Sequence, residues 1–435
     1  MTRPSLARMS LVRSSRRLPP QRACVVVAGG GTGGHIYPGV ALARELASRG
    51  HDPASIRFVG SKRGLEAKTR ATGEFPTTLL PGRGWQRGRQ VRQGLANAGA
   101  LADAGAAVAI TMALFSRWRP AVVVSFGGYA SFPCVVAAAI WGVPVVVVNL
   151  DSVPGLVNRL ASKIAVASAE GVPRHSPPGP PHWRRRTALS VFTGVPVRPE
   201  MACIDRSPEG RRRARERLGV PSGATVVAVC GGSLGALRIN EATAQLAGLW
   251  GERDGTVLRH VVGRRDWERF AKQSPQSSTP ISQNPISQNP ISRAVGLVYQ
   301  VVEYEEDMAS LYAAADIAVQ RAGASSVAEL ALAGLPSILV PLPGAPGDHQ
   351  GANARAMARA GGAVVVEDGR LDGARLASEL DDLLSRPEHL ARMGEAARSL
   401  ARPSATSDLA DLVLGCARGA RWREAAAGRV APSAR

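Results

Sequence analysis

The sequence predicts two doubly wound α/β domains, each built on a parallel sheet, facing each other across a cleft. Three observations carry this expectation. At 435 residues the chain is long enough for two hydrophobic cores. Short runs rich in Val, Ile and Ala alternate with helical stretches, and the alternation stops at a proline-rich junction and then restarts. Glycine clusters follow three of the runs, at the strand ends where open α/β sheets bind their ligands.

In the first half the predicted strands are residues 24–28, 56–59, 121–125 and 143–148, with another near 164–167. They are apolar throughout, as strands covered by helices on both faces must be. Residues 38–48 read as a helix whose buried face is Val40, Leu42, Ala43, Leu46 and Ala47. Residues 171–186 are dense in proline and arginine and read as an exposed loop. A short run at 190–193 leads into Gly194-Val195-Pro196-Val197-Arg198-Pro199, a stiff connection between domains. The second series of strands is 225–230, 257–262, 298–302, 316–319, 337–341 and 363–367. These boundaries place the domains at 23–196 and 197–415, flanked by a disordered basic arm (1–22) and a basic tail (416–435). The pentapeptide Pro280-Ile281-Ser282-Gln283-Asn284 recurs at 285–289, so about 273–293 reads as a disordered insertion.

Aromatic residues make up 4% of the chain, so the cores must be built from Val, Leu, Ile and Ala. The formal net charge is +20, and all but four of the 54 basic residues are arginine. Such an excess attracts polyanions: nucleic acid, an anionic membrane surface or phosphorylated substrates. No nucleic-acid-binding module accompanies it, and nucleic acid is not expected as a partner. No window approaches the about 18 uninterrupted apolar residues of a spanning helix. The amino-terminal stretch lacks the apolar region of a secretory signal. The five cysteines lie far apart, and Cys24 and Cys230 fall inside apolar runs, as small core residues of a reducing compartment do. Metal-ligand spacing is absent.

The chemistry-bearing motifs follow the predicted strands. Gly29-Gly30-Gly31-Thr32-Gly33-Gly34-His35 comes after the first. Only glycine turns the backbone so tightly and presents its amides to an anion. His35 then stands at the helix entrance, a proton acceptor on the rim of a phosphate cradle. A dinucleotide site would need an acid at the end of the second strand, which instead reads Phe58-Val59-Gly60-Ser61. Gly127-Gly128-Tyr129-Ala130-Ser131 and Gly231-Gly232-Ser233-Leu234-Gly235 form two further glycine loops, one in each half. A diphosphate-bearing ligand in each half explains the set, and Arg198 at the junction can neutralise one diphosphate by a forked contact. In Arg321-Ala322-Gly323-Ala324-Ser325-Ser326-Val327-Ala328-Glu329, the acid lies early on a helix and can accept both hydroxyls of a ribose. Asp348-His349-Gln350-Gly351-Ala352-Asn353 offers side chains suited to sugar hydroxyls.

In this order, and with Pro38-Gly39 and Gly155-Leu156 plus Asn158, the motifs resemble the MurG family, the N-acetylglucosaminyltransferases of peptidoglycan synthesis. The resemblance runs from about Cys24 to about Leu414. It implies a GT-B fold of two Rossmann-like domains. It implies inverting transfer of N-acetylglucosamine from UDP-N-acetylglucosamine to the C4 hydroxyl of undecaprenyl-diphospho-muramoyl-pentapeptide. By the same resemblance His35 is the catalytic base and touches the acceptor. Thr32, Gly33 and Gly34 meet the donor, Arg198 and Ser233 hold its diphosphate, Glu329 its ribose and Gln350 the transferred sugar. Tyr129 and Ser131 line the acceptor side. There is no D-x-D pair, so no obligatory metal cofactor is expected. The partners implied are the nucleotide sugar, the lipid-linked acceptor and the anionic cytoplasmic face of the inner membrane, bound peripherally.

The chain departs from the family in places. The family's His-Glu-Gln-Asn is replaced by Val148-Asn149-Leu150-Asp151, where Asn149 and Asp151 are expected to point into the cleft. Leu234 stands where the family has glutamine and Val195 where it has asparagine. Membrane contact is expected from Arg83, Trp85, Arg87, Arg89 and Arg92, the apolar stretch 95–115, and Arg117-Trp118-Arg119. Competing readings are another GT-B enzyme acting on a lipid or natural product, a nucleotide-sugar epimerase, and a non-catalytic nucleotide-sugar-binding scaffold. An epimerase needs a carboxylate cluster that the sequence does not offer. The presence of His35, Glu329 and Gln350 together argues against a scaffold.

Overall fold

The computed structural model describes residues 24–30, 33–62, 73–82, 91–172, 189–232, 235–271 and 296–419, with backbone alone for 91–101 and 346. The basic arm 1–22, the insertion at about 273–293 and most of the loop 171–186 lie outside these residues.

The first lobe runs β1 (Val25–Gly29), α1 (Gly33–Ser48), β2 (Ile56–Ser61), β3 (Thr77–Leu80), α2 (Val91–Trp118), β4 (Val122–Gly127), α3 (Ser131–Trp141), β5 (Val145–Asn149), α4 (Leu156–Ala161), β6 (Ala167–Glu170) and β7 (Leu189–Phe192). Its seven strands lie in the order β3-β2-β1-β4-β5-β6-β7, every pair parallel. The second lobe runs α5 (Pro199–Ala202), α6 (Pro208–Arg217), β8 (Thr225–Cys230), α7 (Leu237–Leu249), β9 (Thr256–Val261), α8 (Trp267–Phe270), β10 (Val298–Val302), α9 (Met308–Ala314), β11 (Ile317–Gln320), α10 (Ala324–Ala333), β12 (Ser337–Leu339), α11 (His349–Ala360), β13 (Ala363–Val365), α12 (Gly373–Leu384) and α13 (Pro387–Ser399). Its six parallel strands lie in the order β10-β9-β8-β11-β12-β13. A last helix, α14 (Ala405–Ala417), closes the chain's described part.

In each sheet the strand order reverses once, between β1 and β4 and between β8 and β11. Connections leave in opposite directions at such a point and open a crevice at the carboxyl ends of the two strands. All three glycine clusters and the Arg321–Glu329 segment emerge at these two crevices.

Three expectations need correcting. The sequence reading omits β3, a four-residue edge strand whose Thr77-Thr78 pair interrupts any apolar run. The run near 164–167 begins its strand only at Ala167, because Ile164 lies exposed in the preceding turn. The second domain does not extend to 415. Helix α14 crosses back and packs on α1, β4 and β6 of the first lobe. Its Leu409, Ala410, Leu412, Val413 and Cys416 share a core with Val25, Val40, Leu46 and Val124. Arg49, in the turn just after α1, pins it, 2.7 Å from Asp411 and 2.7 Å from the Ser407 hydroxyl. The helix also continues to Ala417, inside the stretch read as a basic tail.

Cys24, Cys134, Cys230 and Cys416 are buried, and Cys203 is exposed. Among the described residues no helix is long and apolar enough to cross a membrane. No group of three or more His, Cys, Asp or Glu residues is placed to hold a metal ion among them.

Candidate active site

Helix α1 starts at Gly33, so Gly33, Gly34 and His35 form its first turn, with Gly34 exposed. The helix takes Pro38 in its second turn, where only the bond to the Gly34 carbonyl is lost. His35 is half-buried, and its Nδ1 lies 3.2 Å from the Gly30 carbonyl oxygen. A carbonyl can only accept, so Nδ1 carries the hydrogen of the neutral ring. The lone pair is left on Nε2, the tautomer a general base needs.

Two glycine loops of the first lobe pack directly on each other. A Cβ on Gly29 would stand 2.9 Å from the Phe126 Cβ, and one on Gly128 would stand 2.5 Å from the Gly30 oxygen. Gly128 is also left-handed, with φ +79°. Part of the glycine requirement is therefore close packing, and the second loop holds the first in place. Ser131 belongs to the same construction. Its buried hydroxyl shares one hydrogen between the carbonyls of Ala28 and Gly127, each 2.8 Å away. The expectation that Ser131 lines the acceptor side is corrected: it is a strut between the ends of β1 and β4. Tyr129 lays its ring over Gly82. Its hydroxyl is buried, without a hydrogen-bond partner among the described residues, and burial with the nearby Asp103 raises its pKa.

Behind these loops lies a buried polar chain. Ser125 donates to Asn158 Oδ1 (3.1 Å), and Asn158 Nδ2 donates to the Val148 carbonyl (2.8 Å) and Asn149 Oδ1 (3.1 Å). Asn149 Nδ2 in turn reaches Ser168 Oγ (3.1 Å) and both carboxylate oxygens of Glu170 (3.3 Å). Asn149 is thus turned into the lobe, contrary to the expectation that it points into the cleft. Asp151 does reach across the cleft, accepting from Asn353 Nδ2 at 3.1 Å, while Ser152 donates to Asn353 Oδ1 at 3.0 Å.

On the second lobe, Glu329 is half-buried in the second turn of α10. Burial pushes its carboxyl up to about 7, and the Arg198 guanidinium opposes that rise. Arg198 caps α5 at the domain junction and lies 5.5 Å over the ring of Tyr37 on α1, so it stands between the lobes. Gln350, half-buried in the first turn of α11, accepts the Leu342 N–H at 3.0 Å through Oε1, which orients its NH2 group as a donor. Arg321 is turned away from the cleft, bonding the carbonyls of Val340 (3.1 Å) and Pro341 (3.2 Å) and pairing with Asp368 at 2.6 Å. Thr32 and Ser233 lie outside the described residues. The lobes touch where α1 meets α10, with Ala324 and Ala328 packed on the first-lobe core. Tyr37 and Tyr304, which the sequence reading does not single out, add a hydroxyl contact of 3.0 Å across the cleft.

Arg83, Trp85, Arg87 and Arg89 lie outside the described residues, as does the side chain of Arg92. Trp118 is half-buried, its ring covered by the Arg57 guanidinium at 4.9 Å. Ile110 on α2 is exposed, but most of the exposed large apolar side chains among the described residues of this lobe sit elsewhere. Ile140 and Trp141 end α3, Leu156 and Leu160 lie on α4, and Ile164 follows it. Helices α3 and α4 pack together, and exposed Arg159 and Lys163 flank the patch.

Comparison with known proteins agrees with this architecture. The glycosyltransferase family 28 N-terminal domain matches residues 25–169, and the family's C-terminal domain matches residues 226–411. A UDP-N-acetylglucosamine--N-acetylmuramyl-(pentapeptide) pyrophosphoryl-undecaprenol N-acetylglucosamine transferase of Desulforudis audaxviator is 36% identical over 389 residues, covering 89% of this chain and 97% of the relative. The enzyme of the same name from Moorella thermoacetica is 36% identical over 391 residues, covering 90% and 98%. The crystal structure of Acinetobacter baumannii MurG superposes with a TM-score of 0.63 at 26% identity, covering 90% of this chain and 99% of that one. The glycotransferase of kitacinnamycin shares the fold, with a TM-score of 0.57 at 19% identity over 90% of this chain and 98% of its own. With both domain models matched in order and relatives at this identity over nearly its whole length, the chain belongs to the MurG family of glycosyltransferase family 28.

Proposed function

We propose that the protein transfers N-acetylglucosamine from UDP-N-acetylglucosamine to the C4 hydroxyl of undecaprenyl-diphospho-muramoyl-pentapeptide, completing the lipid-linked disaccharide precursor of peptidoglycan. One observation supports this most. The helices that start at the two sheet crevices, α1 and α10, meet, so a base on one lobe and nucleotide-binding groups on the other share one cleft.

The acceptor hydroxyl attacks the anomeric carbon from the face opposite UDP. Its oxygen bonds to carbon as the bond from carbon to the β-phosphate oxygen breaks, which inverts the centre. His35 Nε2 takes the hydroxyl proton, and the negative charge passes to departing UDP, where Arg198 opposes it. Glu329 accepts the ribose hydroxyls, and the Gln350 NH2 group donates to the transferred sugar. Thr32, Gly33, Gly34 and Ser233 meet the donor at the two glycine loops, and Tyr129 borders the acceptor. Closing the cleft fixes the two reactants in one geometry and excludes water. No step in this scheme is routed through a metal ion.

The acceptor's lipid must stay in a bilayer while its sugar enters the cleft. The α3–α4 patch, with Arg159 and Lys163 at its edge, adjoins the Gly127-Gly128 loop through Asn158 and suits a peripheral contact with an anionic surface. The membrane face is the cytoplasmic face of the inner membrane. The test is transfer from radiolabelled UDP-N-acetylglucosamine to a lipid-linked muramoyl-pentapeptide. Label is expected in the lipid fraction, and its absence at saturating donor and acceptor overturns the reading.

A further inference from the structure

Tyr37 lies two residues after His35 on α1, and its hydroxyl stands 3.0 Å from that of Tyr304, on the loop after β10 of the other lobe. Each ring carries a guanidinium, Arg198 over Tyr37 at 5.5 Å and Arg264 over Tyr304 at 5.7 Å. Beside this contact lies a cavity of about 350 Å³, lined by Tyr37, Arg44 and Arg198 on one side and by Glu306, Asp307 and Met308 on the other.

The loop that carries Tyr304 is held stiffly. Glu305 is buried and takes two hydrogen bonds on Oε2 from Arg259 of β9, at 2.9 and 2.6 Å. Arg259 also reaches Gln300 Oε1 at 2.9 Å. The other Glu305 oxygen accepts the Asp307 N–H at 3.1 Å, and Asp307 caps α9 through the Ser310 N–H at 3.0 Å. A buried ion pair satisfied on both sides fixes conformation more than it adds stability. Tyr304 is therefore a firm point on the second lobe, and Tyr37 lies in the first two turns of α1, two residues after His35. A two-lobed transferase must open to exchange UDP and close to react. The contact between the hydroxyls forms only when the lobes are together.

We propose that Tyr37 and Tyr304 are positioning residues: their hydroxyl pair latches the closed state and sets the first turns of α1, and with it His35, against the donor held by the second lobe. The inference rests on the transferase reading above. Each hydroxyl acts only through the other, so removing either one removes the whole effect.

The test is a double-mutant cycle of Y37F, Y304F and the double variant. Each single variant is expected to lower kcat roughly three- to tenfold, the scale of one net hydrogen bond. The double variant is expected to match either single one, with UDP affinity by calorimetry and the melting temperature unchanged. Effects that multiply, or single variants at wild-type kcat, overturn the proposal. An activity-independent arm keeps the latch separate from the reaction. Spin labels go on the cysteines introduced by S48C and S385C, both exposed positions, in a chain carrying C203S, and the interlobe distance is measured with saturating UDP. The short-distance population is expected to shrink in either phenylalanine variant, and identical distance distributions overturn the latch. If the variants show this shift but the wild-type protein transfers no sugar, the transferase reading is overturned and the latch stands.

Discussion

His35 can serve as a base because of what the Gly30 carbonyl does to it. The 3.2 Å contact puts the hydrogen on Nδ1 and leaves Nε2 open, so the residue and its orienting partner lie five positions apart in one turn. H35Q keeps a polar side chain but no basic nitrogen. It is expected to lower kcat by roughly 10²- to 10⁴-fold, the range of a lost general base, with UDP affinity by calorimetry unchanged. Glu329 poses a different question, since burial holds its carboxyl up at about 7 against the pull of Arg198. A carboxyl raised above its ordinary value favours folding most at low pH, and that contribution is lost as pH rises from about 4.5 through 7. Ligand binding has the opposite sense. Ribose hydroxyls donate to the carboxylate and favour the ionised form, so UDP affinity is expected to rise between pH 6 and pH 8, with proton release. E329Q is expected to remove both. Calorimetry in two buffers of different ionisation enthalpy reads the proton count directly, and a wild-type count of zero at pH 6.5 sinks the assignment. The sequence pattern brought out both residues, because each follows a strand end. The orienting carbonyl and the burial that raises Glu329 come from tertiary packing and leave no local mark.

At the scale of elements, the legible parts were those with a strong period. Apolar runs marked β1, β4 and β5 most clearly, since strands buried on both faces have few polar positions to hide them, and predominantly apolar runs marked β2 and the second sheet despite Arg57 and the Arg259-His260 pair. β3 and β6 escaped, wholly or in register, because β3 is a short edge strand opening on Thr77-Thr78 and the Ala-Ser-Ala-Glu strand alternates polar with apolar residues. The glycine loops were legible as loops, but not the reason that each glycine is required. Gly128 combines φ +79° with an approach that would set a Cβ 2.5 Å from the Gly30 oxygen. G128A is therefore expected to destabilise the protein by about 1–3 kcal/mol in urea unfolding and to displace the His35 loop. The buried polar chain in the second sheet was equally silent in the sequence. His260 on β9 has Nδ1 2.9 Å from the Tyr299 hydroxyl and Nε2 3.0 Å from Asn240 Oδ1. Asn240 Nδ2 donates to the Val262 carbonyl (3.1 Å) and Asp266 Oδ2 (3.0 Å), which fixes its oxygen as the acceptor of His260 Nε2–H. Burial lowers the His260 pKa from 6.5 to about 3. The unfolded chain binds this proton first, so stability falls as pH drops from 6.5 toward 3, by about 1.4 kcal/mol per unit. H260Q can keep both partners and is expected to flatten that part of the stability profile. An unchanged slope between pH 4 and pH 6 shows that other groups set it.

The molecule as a whole is two lobes joined twice, once through the Pro196–Arg198 junction and again where α14 returns to the first lobe. Two crossings restrict the lobes to hinge-like motion, which suits a cleft that must open for a lipid-bound acceptor without losing register. Two-domain alternation was legible from the sequence, but the return of α14 was not. An amphipathic helix states that it has an apolar face without saying which lobe covers it. The same limit applies to the proposed membrane surface. Arginine and tryptophan around 83–119 drew the sequence reading toward α2, where Ile110 is exposed among the described residues, whereas α3, α4 and the turn beyond expose five large apolar side chains. Leu156 is 66% exposed and Ile140 63%, on two helices that pack together, and contiguous exposed apolar surface marks interaction sites. A wholly buried leucine is worth roughly 1.5–3 kcal/mol. L156D/L160D is therefore expected to weaken binding to anionic vesicles at least about tenfold in co-sedimentation, while transfer to a short-chain, water-soluble acceptor is retained. R159E/K163E should weaken binding at low salt and differ little from wild type at high salt, where surface charges are screened. If neither pair changes sedimentation and R87E/R89E/R92E does, the bilayer is met by the 83–92 segment and the α3–α4 patch has no part in it.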